Sequence, residues 1–197
     1  MIPFTPFASR LIPLPVSNID TDQIIPARYL KATDKQGMGE ALFADWRYYP
    51  DGSPKPDFIL NRPETRGAQI LLAGGNFGCG SSREHAAWAL SGFGLRAVIS
   101  TSFADIFRSN ALKNGLLPII IPPEEHALLV ELASETPEAE IRIDLHAQSV
   151  GLPGGKGINF PIDPFSKACM LKGVDELGYL LGMEDRISSY ERRVGAL

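Results

Sequence analysis

Hydrophobic positions along the chain fall into short runs cut by glycine and proline, and the runs follow two different periods. Gln69-Ile70-Leu71-Leu72-Ala73, Arg96 to Ser100 and Leu116 to Ile121 are apolar stretches bounded by turn residues, the pattern of buried strands. Between them, Arg83 to Phe93 and Phe103 to Asn114 have helical composition and stop at Gly92 and Gly94 and at Gly115. A strand–helix–strand–helix–strand order implies right-handed crossovers and predicts a mainly parallel central sheet.

The flanks read differently. Ser9 to Leu14 predicts a short edge strand, because Pro13 is tolerated at an edge, and Asn18-Ile19-Asp20-Thr21-Asp22 reads as a turn whose aspartates need no catalytic role. Lys35 to Pro63 is mixed, with a short helix over Glu40 to Trp46 and a loop over Tyr49 to Pro56, so a mobile excursion is expected at about residues 31–56. Glu124 to Ser134 is helical, Ile141 to Leu145 alternates as a half-exposed strand, and Gly154 to Gly157 suits a hairpin leading to Ile158 to Ile162. The tail from Pro164 to Arg193 is helical with breaks at Gly173 and Gly182. The 16 prolines and 19 glycines mark no linker and no internal repeat is visible, so a single domain over residues 1–197 is expected. The fold class is α/β, with added antiparallel strands and a helical C-terminal tail.

Composition narrows the function classes. With 44% apolar and 21% charged residues the chain has the make-up of a soluble globular protein. No apolar run approaches the roughly 18 residues of a membrane helix, and Met1-Ile2-Pro3-Phe4 lacks the basic start of a signal peptide, which predicts a cytoplasmic protein. The net charge is -4 with scattered cations, which argues against nucleic acid or an anionic membrane as partner. Cys79 and Cys169 form no CxxC, and two thiols fall short of the three or four an iron–sulfur cluster needs. Any such cofactor must come from another chain.

The chemistry-bearing segment is Gly74-Gly75-Asn76-Phe77-Gly78-Cys79-Gly80-Ser81-Ser82-Arg83-Glu84-His85, which joins a strand to a helix start. Free backbone N–H groups and the helix dipole favour a negative charge there. Four glycines within seven residues exceed what a capped helix requires, and glycine lets backbone approach a ligand closely. Gly75-x-x-x-x-Gly80 has P-loop spacing but is followed by Ser81-Ser82 where Lys then Ser/Thr is required, and Gly78-x-Gly80-x-x-Arg83 lacks the third glycine of the dinucleotide fingerprint. Amides, two hydroxyls and a guanidinium remain, a set that suits a carboxylate. Beside a cation at a helix N-terminus, Ser81 or Ser82 can accept a proton, because the alkoxide is stabilised. Ser81 and Glu84 also have capping-box spacing, so a purely structural role for Ser81 stays open. His85, one turn into the helix, is either a conventional base or a packed helix residue, and Cys79 lacks an identifiable base to activate it.

Gly75-Asn76-Phe77-Gly78-Cys79-Gly80-Ser81-Ser82-Arg83-Glu84-His85-Ala86 resembles the signature of 3-isopropylmalate dehydratase small subunits and, more distantly, the swivelling domain of aconitases. The resemblance extends over Asn18 to Pro26, Phe43 to Arg47, Pro56 to Phe58, Ser102 to Phe107, Asn114 to Pro118 and Cys169 to Gly173, nearly the whole chain. It implies a swivelling β/β/α-type domain, and a hydro-lyase of two chains in which a large subunit carries a [4Fe-4S] cluster and this chain holds no cofactor. By signature position, Ser81 is implied as the catalytic base and Gly80, Ser82 and Arg83 as the binding groups for a diacid carboxylate. The resemblance also implies a side-group sensor around Ile24 to Lys31. Leu30 there suits an isopropyl group, whereas Arg28 suits a carboxylate or a solvated charge. A small subunit acting on citraconate or homoaconitate, and a stand-alone phosphate-binding module, are the alternatives.

Overall fold

The computed structural model describes residues 1–31 and 34–194. Ala32 and Thr33, inside the 31–56 stretch read from the sequence as mobile, lie outside the described residues. In chain order the strands are β1 (Phe7–Leu14), β2 (Ile70–Ala73), β3 (Ala97–Ser100), β4 (Leu117–Ile120), β5 (Glu140–Asp144), β6 (Ser149–Gly151) and β7 (Gly157–Asn159). The helices are α1 (Thr21–Ile24), α2 (Ala44–Arg47), α3 (Glu84–Phe93), α4 (Asp105–Lys113), α5 (Pro123–Glu135), α6 (Pro164–Lys172), α7 (Glu176–Leu181) and α8 (Glu184–Val194).

The seven strands form one sheet in the order β4-β3-β2-β1-β5-β6-β7, parallel from β4 to β1 and antiparallel from β1 to β7. The mainly parallel core with appended antiparallel strands is as the apolar runs imply. The edge position expected for the first strand is not: β1 is central. Its two neighbours divide its length, β5 pairing with Phe7 to Arg10 and β2 with Leu11 to Leu14. Pro13 therefore lies beyond the β5 ladder, where one side of the strand needs no N–H donor.

Strand alternation places Ile12, Leu14, Leu71, Ala73 and Val98 against α3 and α4 on one face, and Leu11, Ile70, Leu72, Ala97 and Ile99 against α5 and α6 on the other. Both faces are covered, which is why the parallel strands read as unbroken apolar runs. Each fully buried Leu or Ile contributes about 1.5–3 kcal/mol through removal of apolar surface from water. The expected short helix at 40–46 is two pieces, a 3₁₀ turn over Met38–Ala41 and α2, separated by Phe43 with φ 49°. The tail breaks where glycines were read, at Gly173 and Gly182, and α7 and α8 leave Leu177, Leu180, Leu181, Ile187, Tyr190 and Val194 exposed.

Candidate active site

The β2–α3 connection is fixed from outside itself. Leaving β2, the Gly74 N–H donates to the Val16 carbonyl at 3.1 Å, and the Asn18 N–H donates to the Gly75 carbonyl at 2.8 Å. Asn76 and Asn18 both adopt positive φ, and the Asn76 Nδ2 donates to the Asn18 Oδ1 at 2.9 Å. The Phe77 N–H and carbonyl pair with Ser102 and Ala104, continuing the parallel β2–β3 pairing past the strand ends, while the Phe77 ring lies against Phe103 and Phe107. Gly78 has φ 76°, and a Cβ there would lie 2.6 Å from the Phe107 Cβ, so only glycine fits.

Beyond Gly78 the chain is held by α1. The Gly78 N–H donates to the Ile19 carbonyl and the Thr21 N–H to the Cys79 carbonyl, both at 2.8 Å, and the Thr21 hydroxyl donates to the Ser81 carbonyl at 3.1 Å. The segment Asn18 to Asp22, read as a simple turn, is thus half of the site's scaffold. It contains a capping box: the Gln23 N–H donates to Asp20 Oδ1 at 2.7 Å, and the Asp20 N–H donates to Gln23 Oε1 at 2.8 Å. The capping box that the Ser81 and Glu84 spacing left open does not form. Helix α3 starts at Glu84 with Arg83 as its N-cap, so Ser81 stands two residues ahead of that cap and makes no cap hydrogen bond.

Gly80 (φ 90°), Ser81 and Ser82 are exposed and Arg83 is half-buried. Among the described residues, no protein group accepts from the amides of Gly80, Ser81 or Ser82, nor from the two serine hydroxyls. These donors sit at the N-terminal, positive end of a ten-residue helix. The Arg83 Nη1 donates to Asp22 Oδ1, a partner that sequence reasoning missed although Asp22 was in view. His85 packs against Trp88 with ring centroids 4.6 Å apart and the rings tilted by 47°, and Glu84 is tied to Asn114, whose Nδ2 donates to Glu84 Oε1 at 2.8 Å. Cys79 is half-buried beside the turn, and burial raises the pKa of the distant Cys169 thiol. Among the described residues no three His, Cys, Asp or Glu side chains converge as metal ligands, and two thiols do not fit an iron–sulfur cluster.

Leu30, the other residue singled out from the sequence, closes the 3₁₀ turn Ala27–Tyr29 and packs half-buried against the core. Among the described residues no hydrogen bond or ion pair joins that turn to Gly80–Arg83. Arg28 is an exposed partner of Asp45 at 2.7 Å, and this hydrogen bond raises its pKa. Arg28 lines a cleft of about 900 Å³ together with Tyr29, Tyr48, Tyr49 and Lys55, and no residue of the glycine-rich turn reaches it.

The parallel strands that end at the turn, the helix start and the open donors make this an α/β domain with a binding turn at the C-terminal end of a central strand. The Aconitase C-terminal domain family matches residues 5–124, and a second family, LeuD_N, matches residues 127–164. The 3-isopropylmalate dehydratase small subunit of Roseiflexus sp. (strain RS-1) is 61% identical over 97% of this chain and 94% of its own. That of Anaeromyxobacter dehalogenans (strain 2CP-C) is 59% identical over 97% and 98%. The crystal structure of 3-isopropylmalate dehydratase (leuD) from Methanocaldococcus jannaschii superposes with a TM-score of 0.67 at 28% identity, covering 94% of this chain and 99% of that one. The chain belongs to the 3-isopropylmalate dehydratase small-subunit family.

Proposed function

We propose that this chain acts in the cytoplasm as the small subunit of a two-chain hydro-lyase of leucine biosynthesis, which converts 2-isopropylmalate to 3-isopropylmalate through 2-isopropylmaleate. One observation carries this: the open row of amides and hydroxyls at Gly80–Ser82, next to Arg83, at the start of α3.

In this mechanism a substrate carboxylate takes the Gly80–Ser82 amides, the Ser82 hydroxyl and the Arg83 guanidinium. As the proton on the carbon beside that carboxylate departs, charge moves onto the carboxylate oxygens, and donors already in place stabilise it without reorganising. Ser81 Oγ, as an alkoxide whose own proton has passed to solvent, receives the proton and returns to the neutral hydroxyl. A serine oxygen is a weak base at neutral pH, and the helix N-terminus and Arg83 shift it toward the alkoxide by favouring its negative charge. Leu30 is the apolar neighbour for the isopropyl group. The partner is the large subunit, which carries the [4Fe-4S] cluster and closes over the turn. No step in this chain is assigned to a metal, since its residues do not fit one.

The test is Ser81→Ala in the assembled two-chain enzyme. The expected kcat falls about 10³-fold, within the range for loss of a general base, while gel filtration shows unchanged assembly. Retention of more than about a tenth of the activity removes Ser81 from the mechanism.

A further inference from the structure

We infer that Asp22 is a positioning residue for the carboxylate site: it holds the Arg83 guanidinium in the orientation that presents its remaining N–H donors beside Ser81 and Ser82. The inference rests on the reading of Arg83 as a substrate ligand and extends it to a residue on a different element.

Three observations carry it. First, the Arg83 side chain is only 19% exposed, and the described residues offer it one acceptor, the Asp22 carboxylate, through Nη1. A guanidinium has five N–H donors in a rigid planar fork, so fixing one edge leaves the others pointing in defined directions. Second, Asp22 is itself fixed relative to the turn. It lies on α1, which is capped by Asp20 and joined to Cys79 and Ser81 through the Thr21 N–H and hydroxyl. The carboxylate, the guanidinium and the Ser81 backbone are therefore parts of one hydrogen-bonded frame, with Ser82 between Ser81 and Arg83 in the chain. Third, the Asp22 side chain is 53% exposed, so it contributes little core packing, and its removal acts on what it touches rather than on the fold.

Two opposite effects can follow from a carboxylate at this place. As an orienting group it lowers the entropy that Arg83 must lose on binding a diacid. As a charge it repels the same diacid. The geometry favours orientation, because an exposed charge is screened by water whereas the half-buried guanidinium has no other acceptor among the described residues to fix it.

The experiment is a double-mutant cycle on the assembled two-chain enzyme with Asp22→Ala, Arg83→Lys and the pair, plus Asp22→Asn, with melting of each small subunit checked in parallel. Expected for Asp22→Ala is a KM about tenfold higher with kcat changed less than about threefold, since the loss falls on ground-state binding. Asp22→Asn, which keeps an acceptor for Nη1, recovers most of that loss. In the Arg83→Lys background Asp22→Ala adds almost nothing, because lysine cannot use the planar arrangement. The inference is overturned if Asp22→Ala costs as much in the Arg83→Lys background as alone, if it behaves as wild type, or if it lowers KM, which would make Asp22 a competitor of the substrate. A lowered melting temperature with normal KM in the folded fraction also overturns it. If Arg83→Lys itself leaves kcat/KM unchanged, the role of Arg83 falls and the inference with it; an impaired Arg83→Lys beside an unimpaired Asp22→Ala sinks the inference alone.

Discussion

The glycine-rich turn at 74–83 and the cleft between residues 28 and 55 differ in a way that inverts the usual search for a site. The cleft has the room, about 900 Å³, and both of its cations already have partners: Arg28 pairs with Asp45, and the Lys55 Nζ donates to the Asp45 carbonyl at 2.9 Å. In the turn, the Gly80–Ser82 amides and the two serine hydroxyls have no acceptor among the described residues, while the backbone that carries them is bound on both sides by β1–α1 and by the segment Ser102–Ala104. Unused hydrogen-bonding capacity at a rigid place marks chemistry better than volume does, because an unmatched donor gains most from an incoming carboxylate. Such a half-open site makes physical sense when a second chain supplies the other wall.

The comparison breaks most visibly at Gly78. Gly78→Val must place branched carbons in the space of the Phe107 ring at φ 76°, and overpacking together with left-handed strain costs about 2–5 kcal/mol. The expected outcome is a melting temperature lower by roughly 5–15 °C in a thermal scan, with activity lost beyond what unfolding explains. A melting curve matching wild type would show that the turn is not rigid. In the cleft, Tyr49→Ala removes an exposed ring that Lys55 covers, and steady-state assays of the assembled enzyme should stay within about twofold of wild type. A tenfold change would move the site toward the cleft.

A smaller effect concerns pH. At the cleft rim the Ser53 hydroxyl and N–H both donate to the Asp51 carboxylate, and these bonds hold its pKa below the ordinary carboxylate value. A depressed folded-state pKa means that the stabilisation is complete above the ordinary carboxylate range and is lost as pH falls through the lower value. NMR shifts of Tyr49–Ser53 should therefore titrate in acid below that ordinary range, and Asp51→Asn should abolish the titration. Shifts that stay flat in the wild type would mean the hydrogen bonds are not made in solution.

Much of this fold was legible because it is built from local signals. The runs at 69–73 and 116–121 end at glycine or proline and the run at 96–100 begins just after Gly94, and their strands are found within a residue or two of those limits. The position of β1 was not, since Pro13 indicates a free N–H side but not that two neighbours share the strand end to end. At the site, Ser81, Ser82 and Arg83 lie consecutively ahead of α3, whereas Leu30 is on a separate turn. The spacing Ser81-x-x-Glu84 suggested a cap that the structure puts at Asp20-x-x-Gln23. Both fit the same four-residue pattern, and only long-range bonds between α1 and the turn decide which is used. Asp22 was missed for the same reason: its partner is 61 residues away.

The central claim is that this chain holds half of an active site. The most direct measurement assays the purified small subunit, a large subunit from the same source, and their mixture, anaerobically on 2-isopropylmalate. The account predicts turnover in the mixture alone, rising with the amount of small subunit until it saturates. Full turnover by the small subunit on its own would contradict it.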